Sequence, residues 1–176
     1  MKKVILAMTI AALVGCTTME PVEYSIPVDN RQALKKFRFT NFSISHFTQS
    51  ARFNPSCRFL GPLELPDDLS FAQYIVETIN DDLKAAGVYS SRRRRISGDI
   101  TTLAFSSSSG FTNGFWDISI MLVSPRGTSL NVSNRFIFKS GLRAVEACNA
   151  TADALYPAIQ NLLSVAIADP KFRKLL

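Results

Sequence analysis

Between positions 115 and 138 the chain alternates. Trp116, Ile118, Ile120 and Leu122 share one parity, Pro125-Arg126-Gly127 makes a turn, and Leu130, Val132, Phe136 and Phe138 share a face on the way back. Successive side chains of a strand point to opposite faces, so this pattern predicts a hairpin with one apolar side. A lone two-stranded ribbon is barely stable in water. The hairpin must therefore join more strands, and its apolar face must be covered by elements with apolar faces of their own.

Two helical stripes supply that cover. Ser70 is placed to cap a helix in which Phe71, Ile75, Ile79 and Leu83 recur every four residues, with Tyr74 and Val76 widening the stripe. Gly87 is placed to end it in a left-handed conformation. Residues 142–168 form the second helix, with Cys148, Ala152, Leu155, Ile159, Leu162 and Ala166 at three- and four-residue spacing. Pro157 lacks an N–H and should kink or divide it.

Two further strands complete the sheet. Residues 34–48 read as the first, but Phe37 and Phe39 lie on one parity and Phe42 and Ile44 on the other, so a bulge near Thr40-Asn41 is expected. Residues 96–106 read as the second, with a parity change between Ile100 and Leu103. Residues 106–114 read as a polar loop, and residues 50–66, with Pro55, Gly61, Pro62 and Pro66, as an irregular connection. The order is β-α-β-β-β-α. It predicts an α+β domain: a four-stranded, largely antiparallel sheet with two helices on one face.

The N-terminus carries an address. Met1-Lys2-Lys3 precedes residues 4–14, which hold no charge and one polar residue, Thr9. That run is too short to span a bilayer, which takes about 20 residues, but it suits the apolar region of a signal peptide. Leu13-Val14-Gly15-Cys16 follows and resembles the lipobox of bacterial lipoproteins. The resemblance implies diacylglycerol on the Cys16 thiol, cleavage before Cys16, and acylation of the new amine. Thr17, where an Asp would favour the inner membrane, implies the outer membrane, facing the periplasm. Residues 1–15 are then a signal peptide, 16–33 a lipidated start and tether containing Pro21 and Pro27, and 34–176 one periplasmic domain. A tether of about 17 residues would reach roughly 20–25 Å. The layout of the domain also resembles small outer-membrane and transporter-associated lipoproteins, a likeness that assigns no residue a role.

Composition fits this address. The full chain of 176 residues is 47% apolar with 13 Phe, enough for a real core. Loss of Lys2 and Lys3 lowers its formal charge of +6 to +4. That mild excess favours acidic partners, anionic lipid or lipopolysaccharide, while nucleic acid is not expected in the periplasm. The best later candidate for a membrane span, 155–168, is interrupted by Pro157, Gln160, Asn161 and Ser164.

The inventory for catalysis is poor. His46 is the only histidine, and no nucleophile elbow, zinc-protease helix or phosphate loop is present. His46 shares parity with Phe42 and Ile44 and reads as a strand-end histidine satisfied by a carbonyl or water. Asp67-Asp68 and Asp81-Asp82 are adjacent pairs whose members point in different directions, so neither makes an acid/base dyad; Asp67-Asp68 suits the positive start of the first helix. No catalytic residue, metal site or cofactor is expected. Arg92, Arg93, Arg94 and Arg95 stand in a row before the second strand. They are either a solvated connector or a contact for anions, since the planar guanidinium fork matches phosphate. Phe111, Phe115 and Trp116 are candidates for an exposed aromatic tip or for the core. The basic segment 171–176 is a candidate for a frayed end or a membrane-surface contact. Lipidation consumes Cys16, leaving Cys57 and Cys148 in an oxidising compartment, where a bridge closing about 92 residues is expected.

The sequence thus predicts a membrane-anchored, non-catalytic accessory that meets an envelope partner in transport, assembly or the cell wall. A carrier or sensor of lipid or glycolipid would instead need an apolar pocket of about 300 Å³ or more between sheet and helices. A hydrolase would need a cleft bringing His46 or carboxyl groups together.

Overall fold

The structure, a computed structural model, describes residues 28–110 and 112–176. The expected signal peptide, Cys16, the expected tether up to residue 27, and Phe111 lie outside the described residues. Helix α1 spans Val28–Lys35 and leads through a turn into strand β1, Phe42–Gln49. After the irregular connection comes α2, Phe71–Ala85, and then β2 (Arg94–Ser109), β3 (Asn113–Val123) and β4 (Ser129–Lys139). Helices α3 (Ala144–Asp153), α4 (Leu155–Ala168) and α5 (Phe172–Leu175) follow.

The domain is α+β. Its sheet has the order β1-β2-β3-β4, with β1 parallel to β2 and the other two pairings antiparallel. A parallel pair needs a crossover, and α2 supplies it. Helix α2 packs on β1, α3 chiefly on β2, and α4 on β4 and β3. The alternation of β3 is realised as expected: Trp116, Ile118, Ile120 and Leu122 are all buried. Trp116 also donates from Nε1 to the Thr151 carbonyl at 2.9 Å, satisfying its one polar atom in the last turn of α3. On the other face, Thr102, Ser119 and Ser133 stand in register across three strands.

Helix α2 matches its sequence in detail. Ser70 and Gln73 form a reciprocal capping box. At the far end Gly87 adopts φ +73°, and the amides of Gly87 and Val88 return to the carbonyls of Lys84 and Leu83, both at 2.9 Å. That pair of bonds is a Schellman cap, and Leu83 and Val88, the two positions it joins, are both buried.

The first predicted strand is corrected. Residues 28–33, read as tether, and the start of 34–48 belong to α1 and its turn, because Leu34 and Phe37 bury from helical spacing. The parity conflict thus marks a change of element, not a bulge at Thr40-Asn41. The register shift in β1 lies between Ile44 and Phe47 instead. It lets Phe42, Ile44 and Phe47 all face the core and turns His46 outward, away from the parity it shares with Phe42 and Ile44.

Other boundaries also move. Strand β2 continues to Ser109, so most of the expected loop 106–114 is ladder, and Gly110 turns at φ +74°. Gly114 is required by close approach, since a Cβ there would sit 2.4 Å from the Phe138 ring. Pro157 divides the second helix: α3 stops at Asp153, four residues earlier, where the proline ring would strike the carbonyl. The C-terminal segment neither frays nor lies on the surface throughout, because Phe172, Leu175 and Leu176 are buried. Asp67 and Asp68 sit exposed in a short turn, and the side-chain cap on α2 comes from Ser70. Among the described residues no helix is long and apolar enough to cross a membrane.

Candidate functional site

At the end of the sheet where β1 and β2 begin, four separate stretches of chain bring cations together. The turn after α1 contributes Lys36 above buried Phe37. Arg94 opens β2, Arg126 comes from the β3–β4 turn, and Arg173 and Lys174 come from α5. They line an open hollow of about 410 Å³, with Thr40 and Leu176 completing its wall.

Local structure explains the convergence. Arg94 shares the parity of buried Ile96 and pairs in register with Phe42, so it stands at the helix-covered side of the sheet's end. Helix α5 is held there by Phe172, which meets Phe37 and Phe42 edge-on with ring centres 5.4 and 5.9 Å apart. The Arg173 guanidinium lies 5.8 Å from the Phe37 ring centre. A second hollow of about 320 Å³ adjoins, lined by Phe39, Thr40, Asn41, Arg93 and Arg94. Arg38 stacks on Phe39 at 4.8 Å.

No acidic side chain lines either hollow. None of the five cations of the first hollow forms an ion pair with a described residue; the pairs present join Lys84 to Asp81, Arg135 to Asp117 and Arg143 to Glu146. Five like charges around one concavity create a positive potential that a single multivalent anion would relieve. Arginine forks can take two oxygens of a phosphate or carboxylate at once, and the lysines add point charge.

Of the arginine run, Arg94 lines both hollows and Arg93 the second. Arg92 lines neither, and Arg95 is an exposed residue on the other parity, paired in register with Ser43. Lys36 and Arg126, and the part played by Arg173 and Lys174, have no local signature, since their meeting is tertiary. Trp116 belongs to the core, and Phe115 is half-buried with Arg135 stacked 4.5 Å from its ring centre. His46 Nδ1 lies 3.4 Å from its neighbour's Ser45 Oγ. Among the described residues no three His, Cys, Asp or Glu side chains gather as a metal site.

Cys57 and Cys148 are joined in a disulfide with Cα atoms 5.8 Å apart. The bridge lies toward the opposite end of the sheet, where Arg58 donates to the Ser107 hydroxyl and carbonyl and to the Leu142 carbonyl at 3.1–3.2 Å.

A buried polar group lies between α1, α2 and α4. Asn30 donates to the Gln160 carbonyl at 2.8 Å and its side-chain oxygen at 3.1 Å. Asp82 is 1% exposed beside it. Burial, with a smaller push from Asp81, raises its carboxyl to about 6; the Gln160 side chain and the Arg31 charge pull the other way. That relief is partial, since neither Asp82 oxygen completes a hydrogen bond of ordinary geometry. Burial and the Asp82 charge push Tyr156 up to about 12.

No protein-family model and no curated protein sequence matches the chain. The site therefore rests on its own geometry.

Proposed function

We propose that this chain is a lipid-anchored component of the bacterial envelope whose folded domain acts as a non-catalytic accessory, binding an anionic group at its cationic end. The anchor is supported by Lys2-Lys3, the apolar run 4–14 and the Leu13-Val14-Gly15-Cys16 box, with Thr17 favouring the outer membrane, facing the periplasm. The Cys57–Cys148 disulfide supports export, since such bonds persist in oxidising compartments. The observation that carries the binding role is the convergence of Lys36, Arg94, Arg126, Arg173 and Lys174 with no acidic side chain among them. A lipid carrier would need room between sheet and helices, where Ile96, Ile100, Trp116, Ile118, Leu155 and Ile159 are buried.

Two measurements test this. The mass of membrane-extracted protein should show an N-terminal Cys16 carrying acyl chains; a soluble chain beginning elsewhere would remove the anchor. Pyrophosphate should bind saturably at low salt and raise the melting temperature, and R94Q/R173Q should weaken it at least tenfold. High salt should weaken it too, since exposed charges are screened beyond about 8–10 Å. Equal binding by the variant, or none by either protein, would remove the anion site.

A further inference from the structure

We propose that the cationic end docks on the anionic headgroup surface of the membrane that anchors the chain, seating lipid phosphates in its hollows and placing Phe39 in the interface. This rests on the reading of a lipid-anchored, anion-binding domain and names the anion's source.

Charge complementarity is the first support. Lys36, Arg94, Arg126, Arg173 and Lys174 open outward from one hollow, and Arg93 joins Arg94 in the next. A headgroup layer offers many phosphates side by side, matching two adjoining hollows better than one small solute would.

Phe39 is the second. It is 82% exposed at the rim of the second hollow, with Arg38 stacked on its ring. A bare aromatic ring beside guanidinium groups costs free energy in water, whereas the bilayer interface solvates both: the ring at the headgroup boundary, the cations at the phosphates.

Reach is the third. Twelve peptide steps separate Cys16 from Val28, a length of chain that can reach at most about 40–43 Å. Helix α1 adds about 12 Å along its axis and ends beside Lys36, at the cationic hollow. The anchored chain can therefore bring this end to its own bilayer. Docking would turn the other end, where Phe59 is exposed, away from the membrane.

The test uses the mature lipidated chain reconstituted into vesicles, with F39W as reporter. Trp116 is the single native tryptophan and is fully buried, so it supplies a constant background. In vesicles containing phosphatidylglycerol, brominated lipid should quench the introduced indole several-fold more than in phosphatidylcholine alone. High salt, or R94Q/R173Q/K174Q, should return it to water. An indole equally open to an aqueous quencher in both vesicle types would overturn the proposal, whether or not the triple variant folds. Pyrophosphate titration of the same protein separates the two readings. Saturable binding with an indole that stays in water leaves the anion site standing and removes docking; loss of both removes both.

Discussion

Asp81 and Asp82 are neighbours in sequence and opposites in environment. One step along a helix turns a side chain by about 100°, so Asp81 meets water and Lys84 at 2.7 Å while Asp82 faces the core beneath α1 and α4. Its raised carboxyl has a stability consequence. Unfolded, the group releases its proton near 3.8; folded, it holds it to about 6, so between these values the folded state binds more protons. Its stabilising contribution is therefore present below about pH 4, falls as pH rises through 6, and stays lost above. The full span is about 3 kcal/mol at most. D82N should remove the buried charge, raising stability at pH 8 by about 2 kcal/mol, or roughly 4–8 °C in melting temperature, with little gain at pH 4.5. Thermal melts of both proteins across this range check it. A variant less stable than wild type at every pH would show that the carboxylate is satisfied where it lies.

At the scale of elements, legibility follows agreement between levels. Helix α2 and the β3–β4 hairpin were readable because capping, periodicity and burial point the same way: Ser70, Ile75, Ile79 and Gly87 in one, the alternation from Trp116 in the other. The region before β1 was not, because Leu34, Phe37, Phe39 and Phe42 are spaced ambiguously between a helix with its turn and a strand. The edge of β1 adds a device that no local pattern announces. Asn80 of α2 accepts from the Ile44 amide and donates to its carbonyl, both at 2.9 Å, occupying backbone groups that an edge strand leaves bare. Only after the bulge is placed between Ile44 and Phe47 does that contact, or the exposure of His46, make sense. The candidate site was half legible. The arginine run marked its neighbourhood, but alternation splits Arg94 from Arg95, and the partners of Arg94 arrive from the β3–β4 turn and α5.

The whole molecule is organised end to end, with cations where β1 and β2 begin and the disulfide toward the other end, where β2 finishes. The bridge ties the irregular connection before α2 to α3 across 91 positions, so its loss frees a long loop in the unfolded chain. The chain-entropy account gives about 4–5 kcal/mol for such a loop, and native bridges commonly contribute 2–5 kcal/mol. Both cysteines are fully buried, so reductant should reach the bond only when the domain opens. C57A/C148A should therefore lower stability by about 3 kcal/mol, or roughly 6–12 °C in melting temperature. Wild type in dithiothreitol should hold its melting temperature at first and lose it only as slowly as it unfolds. Pyrophosphate affinity should not change in the double variant, because the hollow is framed by α5, Phe37 and the starts of β1 and β2, away from the bridge. A loss of affinity matching the loss of stability would mean that the cationic end is not independently framed and that the bridge organises both ends.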